Sequence, residues 1–142
     1  MCVEALQRIV LVQVLRTVRQ GLEPGGESDG RDRELFLEFR ALVERRFLTE
    51  RGMAAYIAAL KCSQVRLNRA CLRFAGLSAK GVILDRLADE ARRRLVFTTA
   101  SATQIGYALG FAEPSYFVRF FRRHTGLTPG QFRKDHLARA GR

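Results

Sequence analysis

Two stretches of the sequence, about fifty residues apart, carry side chains that can bond to the edges of nucleic-acid bases. Arginine can bind a guanine through two parallel hydrogen bonds, glutamine or asparagine can bind an adenine in the same way, and an apolar side chain can contact a thymine methyl group. The candidate base-reading residues are Gln64, Val65, Arg66, Asn68 and Arg69 in the first stretch, and Pro114, Ser115, Tyr116 and Arg119 in the second.

The apolar residues around these stretches repeat with nearly the same spacing. The first series has steps of 4, 2, 5 and 4 residues and the second has steps of 4, 2, 6 and 4; the two series are Tyr56, Leu60, Cys62, Leu67 and Cys71, and Ile105, Leu109, Phe111, Phe117 and Phe121. Each copy predicts a short helix, a tight turn and a second helix, which is the helix-turn-helix arrangement. The first helix braces the second, whose first turn can then enter the major groove of DNA.

The remaining periodicity is also helical, and the two-residue alternation typical of strands is almost absent. One helix is predicted over 32–47, and a longer helix over 78–96 joins the two helix-turn-helix units. We therefore expect an all-α fold of about seven helices. The joining helix would be slightly under about 30 Å long, so one molecule could read two adjacent major grooves, whose centres lie about 34 Å apart.

Several helix ends can be predicted from single residues. In each helix-turn-helix unit we call the second helix, which carries the candidate base-reading residues, the reading helix. Ser63 is expected to cap the first reading helix, and Ser101 with Gln104 forms a capping box. Pro114 is expected in the first turn of the second reading helix, and Thr128 with Pro129 begins a last short helix through Phe132. A left-handed helix end is expected at Gly76, and two further helices are expected to end at Gly110 and Gly126.

The N-terminal part is organised differently. Residues 1–19 predict an amphipathic helix, because apolar residues recur at three- and four-residue intervals over 3–18. Residues 20–31 contain four glycines and one proline, so a flexible linker is expected there. The main domain is expected to cover 32–142.

Basic charge is concentrated downstream of this linker. Residues 1–46 contain eight arginines and eight acidic residues, so the formal net charge of +11 comes wholly from 47–142. Because 22 of the 25 basic residues are arginine, whose donor fork suits phosphate oxygens and guanine edges, we expect double-stranded DNA as the partner. The candidate phosphate-binding residues are Ser63, Arg122, Arg123, Arg133 and Lys134.

Other function classes find little support in the sequence. The three cysteines, Cys2, Cys62 and Cys71, have no metal-binding spacing, and we expect neither a metal site nor a cofactor. Cys62 and Cys71 lie at apolar helical positions, so core packing is favoured over a nucleophile and no enzyme is predicted; a DNA-repair transfer reaction on a cysteine stays open as an alternative. The chain has neither a secretory signal nor a membrane-spanning stretch, so a cytoplasmic location is expected.

Residues 32 to about 136 resemble the C-terminal DNA-binding domain of AraC/XylS-type bacterial transcription regulators. The most specific part is IGYALGFAEPSYFVRFFRRHTGLTPGQFR, residues 105–133. The resemblance implies seven helices, two helix-turn-helix units and promoter binding with contacts to RNA polymerase. The helix over 3–18 is similar to the dimerisation helix of such regulators, which implies a homodimer or heterodimer and leaves open a truncated regulator acting by protein–protein pairing.

The chain departs from the family pattern mainly in the first unit. Ile57 stands where a small residue usually lets the two helices approach, and Lys61 stands where the turn usually has glycine. A lysine in the left-handed conformation costs about 1 kcal/mol. In the second unit, Ala112 replaces the usual capping residue.

Overall fold

The computed structural model describes residues 27–141, which form seven helices and no strand. The helices are α1 (Glu27–Arg46), α2 (Met53–Leu60), α3 (Gln64–Ala75), α4 (Ala79–Phe97), α5 (Ala102–Ala108), α6 (Pro114–Thr125) and α7 (Pro129–Ala140). The predicted all-α fold is confirmed. None of these helices is long and apolar enough to cross a membrane.

The described residues divide into two compact units. The first contains 27–46 and 50–83, and the second contains 47–49 and 84–141. Helix α4 contributes its first turn to the first unit and the rest of its length to the second. Each unit contains one copy of the predicted helix-turn-helix, formed by α2 and α3 in the first and by α5 and α6 in the second.

In the first unit, α1 covers the core side of α3. The apolar face predicted for α1 is buried, and Phe39 meets Tyr56 edge to face with ring centroids 5.6 Å apart. Tyr56 satisfies its buried hydroxyl by donating a hydrogen bond to the carbonyl oxygen of Glu50. Leu67 and Cys71 on α3 are fully buried, so one face of α3 is fixed against α1 and α2.

Aromatic rings form much of the core of the second unit. Phe117 and Phe121 of α6 are fully buried, and Phe121 packs edge to face on Phe132 of α7 at 5.4 Å. The approach of α5 to α6 depends on Gly106, where an added Cβ would lie 3.1 Å from the Cβ of Phe117. The phenylalanine cluster is therefore packed as a core, and the outer face of α6 is left for other contacts.

The turns inside the two units differ as the sequence predicts. Gly110 in the second unit has a φ of 90°, which glycine adopts without strain. In the first unit Lys61 takes this place with a φ of 53° and is the one non-glycine residue among 27–141 with a positive φ. The first turn therefore carries the backbone strain expected for a lysine in the left-handed region.

Two predicted boundaries are wrong. Helix α1 begins at Glu27, so 27–31 are helical and are not part of a flexible linker. Asp29 forms an ion pair with Arg73, which ties this first turn to α3, and acidic side chains are favourable at a helix N-terminus. Helix α7 runs to Ala140 instead of ending near Phe132, supported by the capping box at Thr128 and an Asp135–Arg139 ion pair. The predicted helix over 1–19 and linker residues 20–26 lie outside the described residues.

Candidate nucleic-acid interface

The first turn of α3 presents its side chains to solvent. Ser63 is the N-cap, as predicted, and its hydroxyl oxygen accepts a hydrogen bond from the backbone N–H of Arg66 at 3.2 Å. Gln64 is exposed, and Val65 is 78% exposed, which is unusual for a valine in a helix of a packed domain. The helix thus buries Leu67 on one side and offers Gln64 and Val65 on the other.

The two predicted base-reading arginines of α3 share one carboxylate. Asp32 of α1 is only 3% exposed; its Oδ1 lies 3.6 Å from Nε of Arg66, and its Oδ2 lies 3.5 Å from Nε of Arg69. Sequence reasoning missed this contact because Asp32 precedes both arginines by more than thirty residues on another helix. The only sequence signal was an acidic residue next to the apolar face of α1.

Asn68 has an internal role that the sequence analysis did not predict. Its Oδ1 accepts a hydrogen bond from the backbone N–H of Ala79 at 2.9 Å, at the first residue of α4. This N–H has no partner inside its own helix, because the first four amides of a helix lack an acceptor. Asn68 therefore joins α3 to the start of α4, and we leave it out of the base-reading set.

The start of α6 offers a second group of exposed residues. Pro114 occupies the first turn as predicted, and the N-cap is Glu113, one residue after the expected capping position Ala112; the Glu113 side chain makes no cap hydrogen bond. Ser115, Tyr116 and Arg119 are exposed on the side opposite the phenylalanine core.

Arg119 is ordered by residues of its own helix. Its Cζ lies 4.9 Å from the centroid of the Tyr116 ring, which is a cation–π distance, and its Nε donates to the carbonyl oxygen of Ser115 at 3.5 Å. Both contacts lie along α6, so they hold the guanidinium on the exposed face of that helix. Tyr116 keeps 52% of its surface exposed beside it.

The predicted phosphate-binding residues fall into two groups. Arg122, Arg123 and Lys134 are exposed, as contact with a phosphate requires. Arg133 is instead used inside the unit: its Nε donates to the carbonyl oxygen of Leu95 at 3.0 Å, and its Nη2 donates to that of Thr98 at 3.2 Å. These carbonyls lie at the C-terminal end of α4, where acceptors lack partners and a cation is favoured.

The positive charges of three consecutive arginines on α4, residues 92–94, are largely offset by acidic residues on the same helix. Glu90 is buried and accepts hydrogen bonds from Arg86, Arg93 and Arg94. Burial acts to raise the pKa of Glu90, but the hydrogen bonds from Arg93 and Arg94 outweigh it and hold the pKa below its ordinary value. Arg92 pairs with Asp89.

Neither described cysteine has the setting of a reactive thiol. Burial raises the pKa of Cys71 to about 12, and it also raises the pKa of Cys62, which is partly buried. A nucleophilic cysteine needs its thiolate, and an apolar surrounding disfavours that form. Within residues 27–141 no group of three potential ligands is placed to hold a metal ion.

Each unit thus contains two helices joined by a tight turn, with the first turn of the second helix facing solvent. The buried faces of α3 and α6 are apolar, and their exposed faces are rich in arginine and other hydrogen-bonding side chains. This combination defines a helix-turn-helix DNA-binding protein.

Comparison with known proteins specifies the family. A family model described as a helix-turn-helix domain matches residues 56–135, which is more than half of the chain. The transcriptional activator NphR of Rhodococcus sp is 32% identical over 85 residues, which cover 60% of this chain and 25% of that protein. The chain belongs to the AraC-type helix-turn-helix family. The matched region spans a quarter of the length of NphR.

Proposed function

We propose that the protein binds double-stranded DNA at specific sequences, with α3 and α6 each reading one of two adjacent major grooves. The observation that carries the proposal is the start of α6. There Arg119 is held over the Tyr116 ring on a solvent-facing surface while Phe117 and Phe121 anchor the helix from behind. A rigid helix that presents a preordered arginine fork is suited to binding a guanine edge.

The proposed contacts follow from exposure and from the internal bonds described above. Base reading is assigned to Gln64, Val65, Arg66 and Arg69 on α3, and to Pro114, Ser115, Tyr116 and Arg119 on α6. Phosphate binding is assigned to Ser63, Arg122, Arg123 and Lys134. Asn68 is left out because it accepts the N–H at the start of α4, and Arg133 is left out because its guanidinium donates to two backbone carbonyls.

The consequence of binding is proposed from the relative. NphR is named a transcriptional activator, so we propose that this protein also acts on transcription from the promoters it binds, with RNA polymerase as its partner. In-vitro transcription from a promoter containing the selected site tests this step, and an unchanged transcript level would contradict it.

Selection of bound sites from a random double-stranded library, at one fixed salt concentration, tests the binding proposal. An enriched sequence is expected, whereas recovery of unrelated sequences would contradict specific binding. Arg119→Ala should then weaken target binding by about 1 to 3 kcal/mol and relax the preference at one base pair.

The matched control is Arg122→Ala, three residues further along α6. Because a phosphate contact carries no sequence information, this variant should weaken target and random DNA by the same factor. Equal losses on both DNAs for Arg119→Ala would refute the reading role of Arg119.

A further inference from the structure

Asp32 is a buried carboxylate whose position is not explained by core packing. It is 3% exposed, and each of its oxygens faces the guanidinium of a different arginine. A buried carboxylate is costly unless it is paired, so the two arginines and Asp32 constrain each other. The carboxylate therefore limits the positions that Arg66 and Arg69 can occupy.

The way each arginine meets Asp32 leaves its outer end accessible. The closest contact is at Nε in both cases, the nitrogen nearest the aliphatic stem, and the side chains keep 42% and 62% of their surface exposed. The terminal nitrogens of a guanidinium form a donor edge of their own, and such an edge can bind a guanine. Asp32 thus holds the inner side of each guanidinium while the outer side stays on the surface.

The spacing of the arginines creates a need for such a group. Arg66 and Arg69 lie three residues apart on α3, so their like charges are neighbours on one helical face and repel each other. A carboxylate between them offsets this repulsion and allows both cations to stay on the same face.

The second unit has one arginine at these positions, and a different kind of residue orders it. Counting from the buried Leu67 and Phe117, Arg69 corresponds to Arg119, and Arg66 corresponds to Tyr116. In the second unit the Tyr116 ring orders Arg119 from within the helix. In the first unit the ring is absent, and the acid that orders the arginines comes from α1.

We infer that Asp32 is a positioning residue for base recognition by α3: it holds Arg66 and Arg69 so that their terminal donor edges meet the DNA. This inference rests on the proposed function. It gives α1 a part in specificity although α1 lies outside the helix-turn-helix itself.

The test is the ratio of affinity for the selected target to affinity for random DNA, measured for Asp32→Asn. Asparagine keeps the shape of the side chain but removes its charge. The ratio is expected to fall about tenfold, the size of one lost base contact. The relaxed base pairs should be those that Arg66→Ala and Arg69→Ala also relax.

The matched control is Glu38→Gln, which removes one negative charge from an exposed position on the same helix. It should raise affinity for target and random DNA by a similar small factor and leave the ratio unchanged. An unchanged ratio in Asp32→Asn would overturn the inference. A gain on both DNAs well above that of Glu38→Gln would also overturn it, because Asp32 would then be withholding the arginines from DNA.

A measurement on the unmodified protein keeps the inference testable if Asp32→Asn does not fold. Nuclear magnetic relaxation of the arginine Nε–H groups should find Arg66 and Arg69 more ordered than the exposed Arg122, and equal mobility would overturn the inference. Failure of this inference can be told apart from failure of the proposed function. If the proposed function were wrong, the unmodified protein itself would select no target sequence.

Discussion

At the scale of single residues, basic side chains that look equivalent in the sequence have different roles in the folded protein. Arg133 and Lys134 are adjacent, and both were predicted to bind phosphate. Only Lys134 is exposed, whereas Arg133 donates two hydrogen bonds to carbonyl oxygens at the end of α4. The distinction depends on α7 lying against a helix end 35 residues or more earlier in the chain, which no local pattern reveals.

Arg133→Ala is therefore expected to lower the free energy of unfolding by about 1 to 3 kcal/mol, because charge-assisted hydrogen bonds are lost and carbonyl oxygens are left without a donor. Lys134→Ala should leave stability nearly unchanged and weaken binding to all DNA sequences alike. Urea denaturation of both variants measures the difference. Equal stability of the two would contradict the structural role of Arg133.

At the scale of elements, the turn between α2 and α3 is the weak point of the first unit. Lys61 adopts the left-handed conformation that Gly110 adopts in the second unit. Lys61→Gly should raise the free energy of unfolding by about 0.5 to 1 kcal/mol, since the relief of strain exceeds the added entropy of the unfolded chain. Lys61→Ala keeps the Cβ and should bring no such gain, so equal thermal stabilities of these two variants would contradict the strain.

The stability of helix α4 depends on the negative charge of Glu90, which is lost when its carboxylate is protonated at low pH. The pKa of Glu90 is lower in the folded protein than in the unfolded chain, so its pairing stabilises the fold fully above the ordinary value of 4.5. This contribution is lost as the pH falls through the folded pKa.

Glu90→Gln should cost about 1 to 3 kcal/mol at neutral pH, the size of hydrogen bonds to a charged group. The difference from the unmodified protein should shrink as the pH falls below 4.5, the ordinary value of the Glu90 pKa. Denaturant titrations over a pH series measure it. The exposed Asp135 serves as control, because Asp135→Asn should cost at most about 0.5 kcal/mol. A pH-independent difference for Glu90→Gln would contradict the prediction.

At the scale of elements, features set by residues close together in the chain could be predicted from the sequence, and contacts between distant residues could not. Apolar spacing, capping residues and glycines act within a few residues, so the two helix-turn-helix units, the capping box at Ser101 and the left-handed turns were predicted. Contacts of Asp32, Asn68 and Arg133 join residues far apart in the chain. Such contacts depend on the packing of helices, and a pattern read from one segment contains no information about them.

At the scale of the whole molecule, the number of basic residues overstates the number of cations available to bind DNA phosphates. Of the 25 basic residues, several arginines are offset by acids that the folded chain places beside them, including Arg66, Arg69, Arg93 and Arg94. Exposed cations such as Arg122, Arg123 and Lys134 remain for phosphates. Affinity should therefore fall with salt less steeply than the 25 basic residues suggest, with each lost phosphate contact reducing the slope by about one unit.

One chain carries two reading helices, and this predicts a binding site in two parts. If α3 and α6 enter adjacent major grooves, the selected sequence should contain two short conserved blocks whose centres lie about 10 base pairs apart. Arg69→Ala should relax only one block and Arg119→Ala only the other, because each arginine belongs to a different helix. The double variant should then lose the sum of the two single losses, as expected for independent sites. Selection experiments on the three variants test whether the two helices read separate parts of the site. If both single variants relaxed the same base pairs, the two units would not be reading separate grooves.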